Sequence, residues 1–228
     1  MDIRYLGHAS FSLQSNGTTV LVDPWLSGNP TAAATADELA ADAILLTHGH
    51  MDHLGDTVAI AQRTGAAVVA IVELAAEISG ELGESHPVHN PNLGGTIRFD
   101  WGAVKLVPAW HTGLTPKGTP HTPAGLVIEL EGKKLYFLGD TCLFGDLALI
   151  GKREGPIDIA VVPIGGHFTM DRVDAVEAVN LVGPKQVIPS HYNTFPPVET
   201  DVQAFKSDVE SSTSAQVVVL DPGSVHTA

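Results

Sequence analysis

Thr47-His48-Gly49-His50-Met51-Asp52-His53 packs three imidazoles and one carboxylate into residues 48–53. The residues before it, Ala43–Thr47 (AILLT), read as a buried strand, and Leu54–Thr64 reads as a helix stopped by Gly65. The run therefore sits in a loop where a strand hands over to a helix. His48 and His50 are two apart, so in extended backbone both rings project to the same side. Asp52 and His53 follow at the turn and address a second point close by. So many polar donors would be costly inside an apolar core, but they suit a borderline cation such as Zn²⁺. The bland alternative is a solvated, His-rich loop, which chance rarely places at a strand end.

Working outward, the N-terminal stretch reads as short antiparallel strands. Phe11 and Leu13 alternate with polar residues, Asn16-Gly17 supplies a tight hairpin turn, and Val20–Val22 runs back before Asp23-Pro24 ends the strand. Thr35 with Glu38 has the spacing of a capping box for a short helix. Beyond the His-Asp run, Ala66–Ile71 reads as a buried strand followed by a helix to about residue 82. The second half repeats the rhythm. Val104–Ala109 is a strand, and Leu126–Leu130 with Leu135–Leu138 form a hairpin around Glu131-Gly132. Ile159–Val162 and Val187–Pro189 are strands, and Val217–Leu220 closes a sheet. Between them, Thr169 is placed as the cap of a helix with Val173, Val176 and Val179 on one stripe, stopped at Gly183-Pro184, and Thr200 with Gln203 as the cap of a last helix. Antiparallel strands followed by strands alternating with helices, twice over, predict an α/β (α+β) four-layer αββα sandwich. No composition break separates the halves, so residues 1–228 are expected to form a single domain.

Composition sets the outer limits. Of 228 residues, 44% are apolar and 17% charged, which is globular and long enough to bury a core without staples. Lys and Arg number 12 against 26 Asp and Glu, a formal net charge of −14. That acidity argues against nucleic acid and anionic membrane as partners. One cysteine, Cys142, rules out an intrachain disulfide. The opening MDIRYLGHAS lacks the apolar core of a secretory signal, and the longest apolar run, Ala66–Val72, falls far short of the roughly 20 residues of a membrane span. A cytoplasmic protein acting on a small molecule is expected, with room for a homo-oligomer.

Eleven histidines in so acidic a chain invite location. His111, Asp140, His191 and Asp23 each lie at the C-terminal end of an expected strand, so all can line one edge of the sandwich with the dense run. With these residues in place, the chain resembles the metallo-β-lactamase-fold superfamily over nearly its whole length, since H-x-H-x-D-H is that superfamily's signature and the later His, Asp and His stand in the expected order. Leu6-Gly7-His8-Ala9-Ser10, Gly165-Gly166-His167-Phe168-Thr169-Met170 and Pro189-Ser190-His191-Tyr192-Asn193-Thr194-Phe195-Pro196 are similar to a small prokaryotic branch of metal-dependent hydrolases related to ascorbate-phosphate lactonases. The resemblance implies two divalent ions: His48, His50 and His111 around the first, Asp52, His53 and His191 around the second, and Asp140 bridging. Zn²⁺ is the first choice, with Mn²⁺, Ni²⁺ or Fe as alternatives. It also implies that Asp23 holds a ligand imidazole; Asp52 and His50 are expected to be catalytic, and His8 and His167, by their places in turns at the same edge, are expected to serve as outer supports or substrate contacts, the alternative for His167 being a helix-entry turn.

Such a centre implies hydrolysis by a metal-activated hydroxide. Two divalent ions, two carboxylates and a hydroxide leave about one positive charge, which suits a small anionic ester, lactone or phosphoester. The alternatives are a phosphodiesterase or nuclease of the same superfamily and a non-catalytic metal-binding protein on this fold. A di-iron oxygen reductase would carry Glu where His50 stands, and a flavin domain besides. Of the remaining residues, Cys142 is expected to be small and buried, Trp25 and Trp110 to pack in the core, Lys117 to be solvated or meet a phosphate, and His121 to lie at the pocket mouth.

Overall fold

The computed structural model describes residues 1–228. In chain order the elements are β1 (Asp2–Gly7), β2 (Ser10–Ser15), β3 (Thr18–Val22), β4 (Ala43–Leu45), α1 (Met51–Leu54), α2 (Thr57–Thr64), β5 (Ala67–Val69), α3 (Val72–Leu82), β6 (Val88–His89) and β7 (Thr96–Phe99). The second half holds β8 (Gly102–Pro108), β9 (Ala124–Leu130), β10 (Lys133–Phe137), α4 (Leu147–Glu154), β11 (Ile159–Pro163), α5 (Arg172–Val182), β12 (Gln186–Ser190), α6 (Val202–Ser212), β13 (Gln216–Val217) and β14 (Val225–Thr227).

Two seven-stranded sheets result, ordered β14-β1-β2-β3-β4-β5-β6 and β13-β12-β11-β10-β9-β8-β7. In the first, β14 to β3 are antiparallel neighbours and β3 to β6 parallel ones. The second repeats this, antiparallel from β7 to β10 and parallel from β10 to β13. This is the αββα sandwich expected from the sequence. The side-chain period of two explains the layers. Leu135 and Phe137 of β10 face the core between the sheets, where Phe137 meets Phe11 edge-on at 5.4 Å, while Tyr136 turns outward beneath the helices with Phe205. A fully buried side chain such as Phe11 contributes about 1.5–3 kcal/mol by leaving water.

Several boundaries differ from expectation. The helix placed at Leu54–Thr64 begins earlier, at Met51, and is broken at Gly55-Asp56. Gly55 has φ 40°, and a Cβ there would collide with the Trp25 backbone. Asp56 accepts the Leu26 and Ser27 N–H groups at 2.8 Å each, which ties the 24–28 loop to the break. Asp171, not Thr169, caps α5 by accepting from Val173 and Asp174, and the buried stripe is Ala175, Ala178, Val179 and Val182, with Val173 exposed. Asp201, not Thr200, caps α6. The segment at Thr35 is a single 3₁₀ turn, Ala36–Glu38. No helix is long and apolar enough to cross a membrane.

Candidate metal centre

Where the strands end, the backbone is bent to aim side chains at one point. His8 (φ 58°) turns between β1 and β2, Asp23 (φ 45°) ends β3 and His191 (φ 54°) ends β12. Left-handed backbone costs an ordinary residue about 1–2 kcal/mol and persists where surroundings over-determine it. The surroundings here are a seam between the sheets: His191 N–H donates to the His8 carbonyl at 2.8 Å, and Ala124 N–H to the Thr47 carbonyl at 2.9 Å.

The side chains expected to hold metal converge on this edge. The ligand-capable atoms of His48, His50 and His111 lie within 4.8 Å of one another, as do those of His8, Asp52, His53 and His191, and those of His48, His53 and Asp140. Asp140 stands between the sets. Its Oδ1 is 3.3 Å from His53 Nε2, and its Oδ2 is 3.1 Å from His191 Nε2, 3.6 Å from His111 Nε2 and 4.0 Å from His48 Nε2. His50 presents Nδ1, 3.0 Å from His48 Nε2. His53 Nε2 and both nitrogens of His191 are buried without a hydrogen-bond partner. Carboxylate oxygens stand near His53 Nε2 and His191 Nε2 without making a hydrogen bond to either. A buried polar atom left in this way is costly unless something else occupies its direction. Imidazole nitrogens and carboxylate oxygens converging at these spacings fit a cation of the zinc type.

Asp23 supports the cluster from below. It is 2% exposed and accepts three bonds: Thr47 N–H at 2.8 Å, Thr47 hydroxyl at 2.6 Å and His53 Nδ1–H at 2.8 Å. The last bond fixes the His53 tautomer with Nε2 free toward Asp140. His8 does the same for Asp52: its Nε2 is 3.2 Å from Asp52 Oδ2, and its Nδ1 is 2.8 Å from Thr194 Oγ1. Burial pushes His8 down to about 4, so the ring is neutral, its Nε2–H donating to Asp52 and its Nδ1 accepting from Thr194.

Electrostatics divides the imidazoles into two kinds. Burial holds His48 well below the ordinary imidazole value and lowers His50 and His111 as well, so this trio is neutral. Burial also acts to lower His53 and His191, but the charges of Asp140 and Asp23 hold His53 well above the ordinary value, and Asp140 with Asp52 carries His191 up to about 9. Burial would raise Asp52 and Asp140; the facing imidazoles overcome it and hold both well below the carboxylate range. Without a cation, the edge is thus two imidazoliums held among carboxylates.

All seven expected ligands, with Asp23 and His8, are brought together. His167 is not: it is exposed (φ 56°), beside Phe168 at a ring separation of 4.4 Å, outside every ligand set. The expectations for Cys142, Trp110 and Trp25 change, Lys117 is exposed to solvent as expected, and His121 has a role the sequence did not suggest. Cys142 is exposed, because it follows the strand end beyond the sheet. Trp110 is 66% exposed rather than packed in the core, and Trp25 is half-buried, edge-on to His8 at 5.1 Å. Lys117 is tied to Glu81 at 2.7 Å and meets no site residue. His121 holds the metal-binding loop itself, since its Nε2 accepts the Gly49 N–H at 2.9 Å and its Nδ1 bonds the Thr119 carbonyl at 3.2 Å. It thereby clamps the backbone between His48 and His50. A Cβ at Gly49 would lie 2.9 Å from both His121 Cε1 and Thr115 Cγ2, so only glycine allows this approach.

A family model described as "Beta-lactamase superfamily domain" matches residues 18–192. A UPF0173 metal-dependent hydrolase of Pelotomaculum thermopropionicum is 47% identical over 228 residues, covering 98% of each chain. One from Thermus thermophilus is 45% identical over 226 residues, covering 99% of this chain and 98% of the relative. Among solved structures, Igni18, a metallo hydrolase from the archaeon Ignicoccus hospitalis, superimposes with a TM-score of 0.88 at 34% identity, covering 99% of this chain and 97% of that one. CmlA, a diiron β-hydroxylase from Streptomyces venezuelae, shares the fold alone, with a TM-score of 0.71 at 20% identity over 96% of this chain and 53% of its own.

Proposed function

The chain belongs to the beta-lactamase superfamily and to its metal-dependent hydrolases, and from that premise we propose that this edge is a two-metal hydrolytic site for a small ester, lactone or phosphoester. The observation that carries the reading is the set of overlapping ligand groups joined through Asp140, with imidazole nitrogens of His53 and His191 buried and unpartnered. When bound, divalent ions would supply Lewis acidity and lower the pKa of water from about 16 toward 7.

The chain's own residues supply the rest. His48, His50 and His111 form one neutral nitrogen set; Asp52, His53 and His191 form the other; Asp140 spans both. Asp52, 29% exposed at its side chain, is the carboxylate with access to solvent and to substrate. It is suited to orient the attacking water and accept its proton, while the His8 N–H fixes its direction. His53 is held in one tautomer by Asp23. The expectation of an anionic substrate rests on charge arithmetic, and a residual positive charge serves equally an oxyanion that develops from a neutral ester.

The test is reconstitution of metal-free protein with zinc or manganese, elemental analysis, and assay against lactones, phosphodiesters and esters. About two ions per chain and loss of hydrolysis in a folded His50→Ala variant are expected. Uptake of no ion, or full activity in His50→Ala, would overturn the assignment.

A further inference from the structure

Three large apolar side chains stand exposed on the loops around the candidate centre, and no unpaired lysine or arginine accompanies them. Single exposed apolar side chains are ordinary, but several gathered at the mouth of a polar site mark a surface that a ligand can cover. Two of them flank candidate ligands directly, Met51 (58% exposed) between His50 and Asp52 and Trp110 (66%) before His111, and a third, Phe168 (50%), reaches the centre through Phe195. They are held in place. Thr141, next to Asp140, accepts the Trp110 N–H at its hydroxyl (3.0 Å) and the Met170 N–H at its carbonyl (3.1 Å), so the Trp110 and Phe168 loops share one anchor. From Phe168 the apolar surface continues inward to Phe195, 6.4 Å between ring centres, and from Phe195 to His8, 5.7 Å, which holds Asp52.

Charge is distributed to match. The loops that end at this edge, residues 8–9, 23–35, 46–56, 109–123, 138–146, 164–171 and 190–201, contain one basic residue between them, Lys117, and Glu81 neutralises it. Arg172, just beyond Phe168, is paired with Asp208. No lysine or arginine bonds to any residue of the cluster. A phosphate-bearing substrate is ordinarily gripped by such side chains. This mouth offers it only Lys117, already paired with Glu81, on a chain of net charge −14.

We infer that the substrate is an uncharged carboxylic ester or lactone carrying an aliphatic or aromatic group, which lies along Phe195, Phe168 and Trp110 while its carbonyl reaches the metal centre. This rests on the hydrolytic reading above and narrows it, removing phosphomonoesters and other anionic substrates. The balance is that of ester hydrolysis: water adds to the carbonyl carbon, the acyl C–O bond breaks, one proton leaves with the alcohol and one is released from the acid.

Alkyl hydroxamic acids, which chelate metals, test this without turnover. Zinc-loaded protein is titrated with the straight-chain series from acetohydroxamic to octanohydroxamic acid, and with hydroxamates of equal length ending in a carboxylate. Affinity is expected to rise up to about fourfold per methylene over the first several carbons, a terminal carboxylate to cancel the gain, and Phe168→Ser or Trp110→Ser to flatten the slope. Both side chains are exposed, so the variants should fold. A flat slope, or tighter binding of the carboxylate-ended series, overturns the inference and leaves the metal centre standing. Failure of acetohydroxamic acid itself to bind overturns both. A sedimenting dimer that Phe168→Ser dissociates would assign the patch to a second copy of the chain and also overturn it.

Discussion

Asp23 is the residue whose replacement separates stability from metal affinity. Its carboxylate satisfies three buried donors. In Asp23→Ala the Thr47 hydroxyl can turn to His48 Nδ1, 3.1 Å away. The Thr47 N–H finds no other acceptor and the His53 Nδ1–H only the Thr47 hydroxyl oxygen at 3.5 Å, a long and weak contact, so the loss is about 3–5 kcal/mol. For a chain of this size about 2–4 °C are lost per kcal/mol, so metal-free Asp23→Ala should melt about 10 °C below the parent. Asp23→Asn behaves differently. Asparagine tolerates the left-handed backbone, and its oxygen can still accept the Thr47 N–H, so the stability loss is about 1–2 kcal/mol. Its amide N–H₂ then faces His53 Nδ1, and His53 must move its hydrogen to Nε2, the atom that looks toward Asp140. That nitrogen can no longer bind a cation. Zinc affinity should fall about 10–100-fold, read by competition with a chromophoric chelator and compared with melting curves of the metal-free proteins. Parent-like zinc affinity in Asp23→Asn, or a parent-like melt in Asp23→Ala, would refute the argument.

Three further outcomes are expected. Zinc binding should release about two protons per chain below pH 9, because His53 and His191 are charged without metal and must bind as neutral rings; calorimetry in buffers of different ionisation enthalpy reads this directly, and buffer-independent heats would contradict it. The same raised values mean that, in metal-free protein, the His191 contribution to stability is complete below about pH 6.5 and is lost as pH rises through about 9; denaturant midpoints against pH check the sign. His121→Ala should weaken zinc binding several-fold by freeing the Gly49 N–H, with partial rescue in His121→Gln, whose carbonyl can accept the same bond, and Gly49→Ala should destabilise by about 1–3 kcal/mol through overpacking against Thr115 and His121.

What could be read beforehand followed from periodicity. The His-Asp run lies between a long apolar strand and a helix, and the hairpins at Asn16-Gly17 and Glu131-Gly132 have the turn chemistry of their kind, with positive φ at all four residues. Elements without a strong period were not legible. Strand β6 has two residues, β7 alternates between exposed and half-buried residues, and α4 buries only Leu147 and Ile150. Cap positions slipped by one or two residues because Thr and Asp serve equally well as caps, and Asp171 and Asp201 stand close to the threonines chosen. Exposure of Trp110 and Cys142 is not legible for a different reason: both lie past the last paired residue of a strand, where composition says nothing about cover. The His121 clamp joins residues 72 apart, a contact that only the closed fold creates.

Each ligand group draws on both sheets. His48, His50, Asp52 and His53 follow β4, whereas His111, Asp140 and His191 follow strands of the second sheet. The thickness of the side-chain layer between the sheets therefore acts as a gauge that sets how far apart the donor atoms stand. Trimming a contact such as Phe11 on Phe137, remote from the edge, is expected to shift the spacing of the donor atoms as well as loosen the molecule.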